Sequence, residues 1–156
     1  MAKNYWLIKS EPSTFSFDDL KKRTGQTEGW DGVRNYQARN FMRYHMQVGD
    51  LALFYHSSCA EPGVAGIVEI TKSAYPDPSS WDAKSPYFDA KSSPDNPRWF
   101  MVNVTFKSEF KNFVSLKALK ENDNLKDMKV VQKGQRLSIQ PVTREEFSLV
   151  SKMGGL

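Results

Sequence analysis

Five of the chain's eight prolines crowd into one stretch, at Pro76, Pro78, Pro86, Pro94 and Pro97, interleaved with Ser and Asp. Proline fixes φ and removes a backbone donor, so no regular helix or central strand can run through such a segment. The stretch cuts the 156 residues into flanks of about 75 and 59. Each flank carries too few strand-like runs to close a sheet alone. The expected organisation is one domain over residues 1–156, with 76–97 as a long irregular excursion that serves as a functional loop.

The flanks mix strand and helix patterns without βαβ alternation. Tyr5–Lys9 reads as a buried strand, and Ser16 with Asp19 has capping-box spacing for a short helix. Asn35 suits the N-cap of a helix over 36–46 whose Ala38, Phe41, Met42 and His45 share an inward face, while Tyr36, Arg39 and Arg43 share another. Strands are predicted at Leu51–Ser57, at Val64–Ala74 after the Pro62-Gly63 turn, and at Trp99–Phe106. A further strand at Arg136–Gln140 is ended by Pro141. Ser115 starts an amphipathic helix, and Thr143 with Glu146 starts a last one that stops at Gly154-Gly155. This pattern predicts an α+β fold on a strongly curved, even closed, mixed sheet, and does not argue for a Rossmann fold or a TIM barrel.

The formal charge of +4 is concentrated: residues 107–136 hold eight Lys or Arg against four Asp or Glu. A basic segment suits a polyanion, and equally a solvated lysine-rich face. Cys59 is the sole cysteine, so no internal disulfide can form. With no apolar run of membrane-spanning length and no signal-like N-terminus, the expected location is cytoplasmic. Cofactors are not expected, since GxGxxG and P-loop patterns are missing. Two histidines and one cysteine also fall short of a four-ligand His/Cys zinc site. His56-Ser57-Ser58-Cys59 invites a nucleophile reading, but consecutive side chains on a strand point to opposite faces, so His56 and Ser57 diverge.

Aromatics beside small polar groups at strand ends are more informative. Trp30 precedes Asp31-Gly32, Tyr36 opens a helix, Tyr55 lies just before His56 and Ser57, and Trp81 sits in the excursion. An aromatic slot with a few fixed donors and acceptors is what an unstacked base needs. Trp6, Phe54, Trp99 and Phe100 read instead as core. Asn35 is equally well explained as a cap, and Arg39 and Arg43 as a solvated face.

Lys9-Ser10-Glu11-Pro12, then Trp30 to Asn40 (WDGVRNYQARN), Phe54 to Cys59 with Pro62-Gly63, Tyr75 to Pro78 and Gly134 to Val142 (GQRLSIQPV) closely resemble the signature of the EVE domain. The likeness runs from about residue 4 to about 150. The resemblance implies a PUA-like fold, a small mixed β-barrel of five to six strands with peripheral helices. It also implies binding rather than catalysis: a modified base, of the 5-methyl- or 5-hydroxymethylcytosine type in DNA or a modified base in RNA, held in an aromatic pocket. The implied pocket positions are Lys9, Ser10, Trp30, Asn35, Tyr55, His56, Ser57 and Trp81.

The resulting expectation is a nucleic-acid reader in which Trp30 stacks on an extruded base and Tyr55 forms a second wall. Asn35, Ser10 and Ser57 would meet the base edge, and Lys9, Arg34, Arg39 and Arg43 would neutralise phosphates. Two rivals are an enzyme acting on a modified base or nucleoside through His56 or Cys59, and a module binding a peptide or small molecule.

Overall fold

A computed structural model describes residues 3–156. Six strands form one mixed sheet in the order β2-β5-β4-β3-β1-β6. They are β1 (Tyr5–Ser10), β2 (Thr27–Gly29), β3 (Leu51–His56), β4 (Gly63–Pro76), β5 (Phe100–Ser115) and β6 (Ile139–Val142). β1 runs parallel to β3, and every other pairing is antiparallel. The helices are α1 (Phe17–Lys22), α2 (Tyr36–Asn40), α3 (Leu116–Glu121) and α4 (Arg144–Met153). The fold is α+β, as expected. Among the described residues the sheet has two edges, β2 and β6, so no hydrogen-bonded closure completes a barrel.

Curvature comes from the long central pair. β4 and β5, 14 and 16 residues long, shift register four times along their pairing. Each irregularity adds local twist and bends the sheet. Gly66 permits one such bend, since a Cβ there would lie 2.5 Å from both the Phe17 ring and the Ser108 carbonyl oxygen.

Period-two alternation divides the apolar side chains between two cores. Ile8, Phe54, Val68 and Val104 pack on one face with Phe17, Leu20 and Met42, together with Trp30 and Ile139 from opposite ends of the sheet. Leu7, Leu53, Tyr55 and Ile67 pack on the other, beneath Leu119 of α3 and Phe147 and Val150 of α4. The capping boxes at Ser16/Asp19 and Thr143/Glu146 both form.

Four local expectations change. The helix from Tyr36 gives way to a π turn over Phe41–His45, closed by the Met46 N–H donating to the Phe41 carbonyl. That wider turn brings Met46 inward and leaves His45 exposed. The last strand lies at Ile139–Val142 and includes Pro141, which an edge strand tolerates because its missing donor breaks no ladder. Phe100 is only half-buried. Trp99 is buried outside both cores, with its indole N–H donating to Asp89. Among the described residues no helix is long and apolar enough to cross a membrane.

Candidate nucleic-acid interface

The strand ends of β1 and β3 separate two recesses. The first, about 420 Å³, opens beside Trp30 and is lined by Ser10, Phe15, Glu28, Asp31, Arg34 and Tyr87 among others. The second, about 590 Å³, opens beside Tyr55 and is lined by Ser57, Ser58, Leu116 and Arg136. Lys9, Glu11 and Ser138 border both.

Trp30 follows β2 directly, and its backbone N–H donates to the Val102 carbonyl at 2.7 Å. Its indole keeps only 8% of its exposure and meets Phe15 and Phe54 edge-on, with centroids 6.2 and 5.5 Å away. Trp30 is therefore a fixed wall of the core that borders the recess, and not a loop-borne platform. Ser10 closes the neighbouring corner by donating its hydroxyl to the Phe15 carbonyl at 2.5 Å.

The proline-rich excursion supplies the opposite wall. Gly32 adopts φ +78, and a Cβ there would sit 2.7–2.9 Å from the Tyr87 ring, so only glycine lets that ring approach. Asp77 is fully buried. It accepts from the Gly32 N–H at 2.9 Å and from Arg34 Nη1 at 3.1 Å. Arg34 donates Nε and Nη2 to the Tyr87 carbonyl at 2.9 and 2.8 Å. Arg34 thus ties the excursion to the sheet and is not the free phosphate ligand expected of it: all five hydrogen bonds it donates are internal, and the buried Asp77 carboxylate pairs its charge.

Two carboxylates at this recess, Glu28 and Asp31, are shifted toward the neutral acid. Burial pushes Glu28 up against the opposing pull of Arg23. Burial, then the nearby Asp77, pushes Asp31 up. Desolvation lowers the Lys9 ammonium, whose Nζ donates to the Gln135 carbonyl at 3.3 Å.

The single slot expected from sequence is not formed. Phe54 and Tyr55 are consecutive on β3, so Phe54 joins the Trp30 side and Tyr55 the opposite core. Trp30 and Tyr55 cannot flank one base. Asn35 spends its Oδ1 on the Ala38 N–H at 3.0 Å as a helix cap and lines neither recess. His56 accepts the Phe17 N–H through Nε2 at 3.1 Å, satisfying the free donor at the start of α1. Burial lowers its pKa. No hydrogen bond joins it to Cys59 among the described residues, and Ser57 opens on the second recess, as strand parity requires. Trp81 ends a short 3₁₀ turn, Pro78–Trp81, and borders neither recess. The excursion does reach the site, but through Tyr87.

Phe15, Glu28 and Tyr87 were missed by sequence reasoning. Gly32 was the available signal for Tyr87, since a glycine after Trp-Asp marks a close approach without naming what approaches.

A ladder of aromatics and arginines, exposed at Tyr36 and Arg43, leads away from the first recess. The Arg34 guanidinium lies 5.3 Å from the Trp99 ring, and Tyr36 stacks on Trp99 at 4.8 Å. Arg39 sits 4.7 Å from the Tyr36 ring, while Arg98 donates to the Tyr36 hydroxyl. Arg43 lies 4.4 Å from Phe100. Arg39 is partly committed, through Nη1 to the Arg98 carbonyl and Nε and Nη2 to Asn40, whereas Arg43 is exposed.

Comparison with known proteins supports the resemblance read from the motifs. The pattern of the EVE domain family matches residues 4–153. Thymocyte nuclear protein 1 of Gallus gallus is 47% identical over 163 residues, covering 94% of this chain and 66% of that protein. A solved structure of a Pseudomonas syringae protein is 49% identical, with TM-score 0.90 and coverage of 96% of this chain and 99% of that one. The crystal structure of human THYN1 protein in complex with 5-methylcytosine-containing DNA is 45% identical, with TM-score 0.92 and 99% of both chains covered.

Proposed function

Because this chain belongs to the EVE domain family, we propose that it is a nucleic-acid reader that holds one extruded, modified base in the recess beside Trp30. The observation carrying this reading is the recess itself. At about 420 Å³ it lies within the usual range for small-ligand sites, and it combines the Trp30, Phe15 and Tyr87 rings with polar groups at a strand end. The near-superposable human protein in complex with 5-methylcytosine-containing DNA supports a cytosine methylated at carbon 5 as the ligand class.

Chemistry at the rim suits that base. Cytosine presents an exocyclic amine, and a carboxylate is its natural acceptor. Asp31 and Glu28 both stand at the recess. The apolar walls receive the methyl group, whose burial is worth roughly 0.8 kcal/mol, so discrimination against unmodified cytosine is a few-fold. Tyr36, Arg39, Arg43 and Arg98 carry the flanking strand by stacking and charge.

Extruding a base from a perfect duplex costs a few kcal/mol, and one good aromatic contact returns about 1–3 kcal/mol. Affinity for one 5-methylcytosine should therefore rise from matched duplex to mismatched duplex to single strand. Fluorescence anisotropy of the three oligonucleotides checks this order. Equal affinity for all three, or tightest binding to the matched duplex, defeats the extruded-base reading.

A further inference from the structure

Tyr55 is an anomaly that the Trp30 recess leaves unexplained. Its residue exposure is 3%, and its hydroxyl makes no hydrogen bond to another described residue. It is not sealed from solvent either, because no buried side-chain oxygen or nitrogen is left unpaired. Tyr55 lines the second recess, so its buried ring delivers one unpaired hydroxyl to that opening. On a buried ring, that solvent-reachable hydroxyl is a donor of fixed position that a ligand atom can meet in place of water.

The surroundings select the ligand. What the recess presents is donors: the Tyr55 hydroxyl, the Ser57 and Ser58 hydroxyls, the Lys9 ammonium 5.9 Å from the Tyr55 ring, and the Arg136 guanidinium. Desolvation pushes the Tyr55 pKa up to about 12, which keeps the phenol protonated as a donor at neutral pH. Glu11 is the one carboxylate on the lining and stands on the border shared with the first recess.

We infer that the Tyr55 recess is a phosphate subsite, binding the phosphodiester next to the base held beside Trp30. Sharing Lys9, Glu11 and Ser138 makes the two recesses neighbours at the end of β1. The inference rests on the reading of the Trp30 recess and adds a position to it. The strand would enter on the arginine–tyrosine ladder beyond Arg34 and leave over β1 onto Tyr55. The phosphate contacts expected of Arg34 are thereby reassigned to Tyr55, Lys9 and Arg136.

The test is calorimetry with 5-methyl-2′-deoxycytidine, its 3′-monophosphate and its 5′-monophosphate. In the unaltered protein one of the two phosphates should strengthen binding about tenfold over the nucleoside, as charge-assisted hydrogen bonds do. Tyr55→Phe, which removes one oxygen from an otherwise unchanged ring, and Arg136→Ala should each erase most of that gain while nucleoside affinity stays within about twofold. A phosphate gain that survives both substitutions, or no gain from either phosphate, overturns the subsite while leaving the Trp30 recess standing. Failure of the protein to bind any of the three, or 5-methylcytosine oligonucleotides, overturns both.

Discussion

The two recesses at the end of β1 share a border and differ in how they are made. The Trp30 recess is walled by side chains already engaged in packing: Trp30 in the core, Tyr87 held over Gly32, and Arg34 locked to Asp77. Burial pushes the Glu28 and Asp31 carboxyls on its rim up. The Tyr55 recess is lined by donors: the Tyr55, Ser57 and Ser58 hydroxyls, Arg136, and Lys9, which spends one N–H on the Gln135 carbonyl. A rigid cavity of fixed shape is suited to discriminating a base, whereas a cluster of donors is suited to a phosphate of any sequence. The proposed base site and phosphate subsite would then lie on the two faces of one sheet.

That contrast can be broken most forcefully at the aromatic residues. Trp30→Ala should cost about 3–5 kcal/mol of stability, since it empties a core position. Tyr55→Phe should change stability by less than about 0.5 kcal/mol, because the lost hydroxyl has no partner. Chemical denaturation of both variants measures the difference. Similar losses would mean that the Tyr55 hydroxyl is a structural group after all.

Next in size is Asp77. Removing it with Asp77→Ala leaves Arg34 and the Gly32 and Ser79 N–H groups without their acceptor. The expected loss is about 3 kcal/mol, the low end for a broken buried pair because Arg34 keeps some water access. The damage should fall on the first recess alone. Nucleoside binding is lost while the Tyr55 side keeps its shape, as amide exchange along β3 would report. Exchange rising equally on both sides would show that the recesses are not separate.

Gly32→Ala should be milder. Forcing an L side chain into φ +78 costs about 1–2 kcal/mol, and the added methyl displaces Tyr87. Nucleoside affinity should drop more than stability does. An unchanged affinity would remove Tyr87 from the recess wall.

The smallest effect concerns His56. Its pKa is depressed in the folded state, so below the ordinary histidine value near 6.5 the unfolded chain takes up a proton that the folded chain resists. The stability His56 contributes is therefore present above about pH 6.5 and is lost as pH falls through the folded value. Thermal unfolding of the protein and of His56→Gln between pH 8 and 5 should show the variant with the flatter acid limb. Identical limbs would mean that the imidazole does not hold α1.

Local rules made much of the fold legible. Capping boxes at Ser16 and Thr143 form because their spacing satisfies two free donors each, whatever the tertiary context. Strand parity at His56 and Ser57 followed from covalent geometry. The site was harder to read because its walls meet only in three dimensions. Tyr87 reaches Gly32 across 55 residues, through a buried Asp77 that looked like one of many turn aspartates. Asn35 was assigned to both a cap and the site, and the cap claims its oxygen. Parity at Phe54 and Tyr55 also forbids a shared Trp30–Tyr55 slot, a consequence that the aromatic clustering concealed.

The central claim is that one base leaves its stack and enters the Trp30 recess. The direct measurement is a crystal structure of this protein with a short oligonucleotide carrying a single 5-methylcytosine. The expected result places that base against Trp30 and Phe15, with its exocyclic amine toward Asp31 or Glu28 and a neighbouring phosphate at the Tyr55 hydroxyl. A 5-methylcytosine still stacked in its strand, with the recess filled only by solvent, would contradict it.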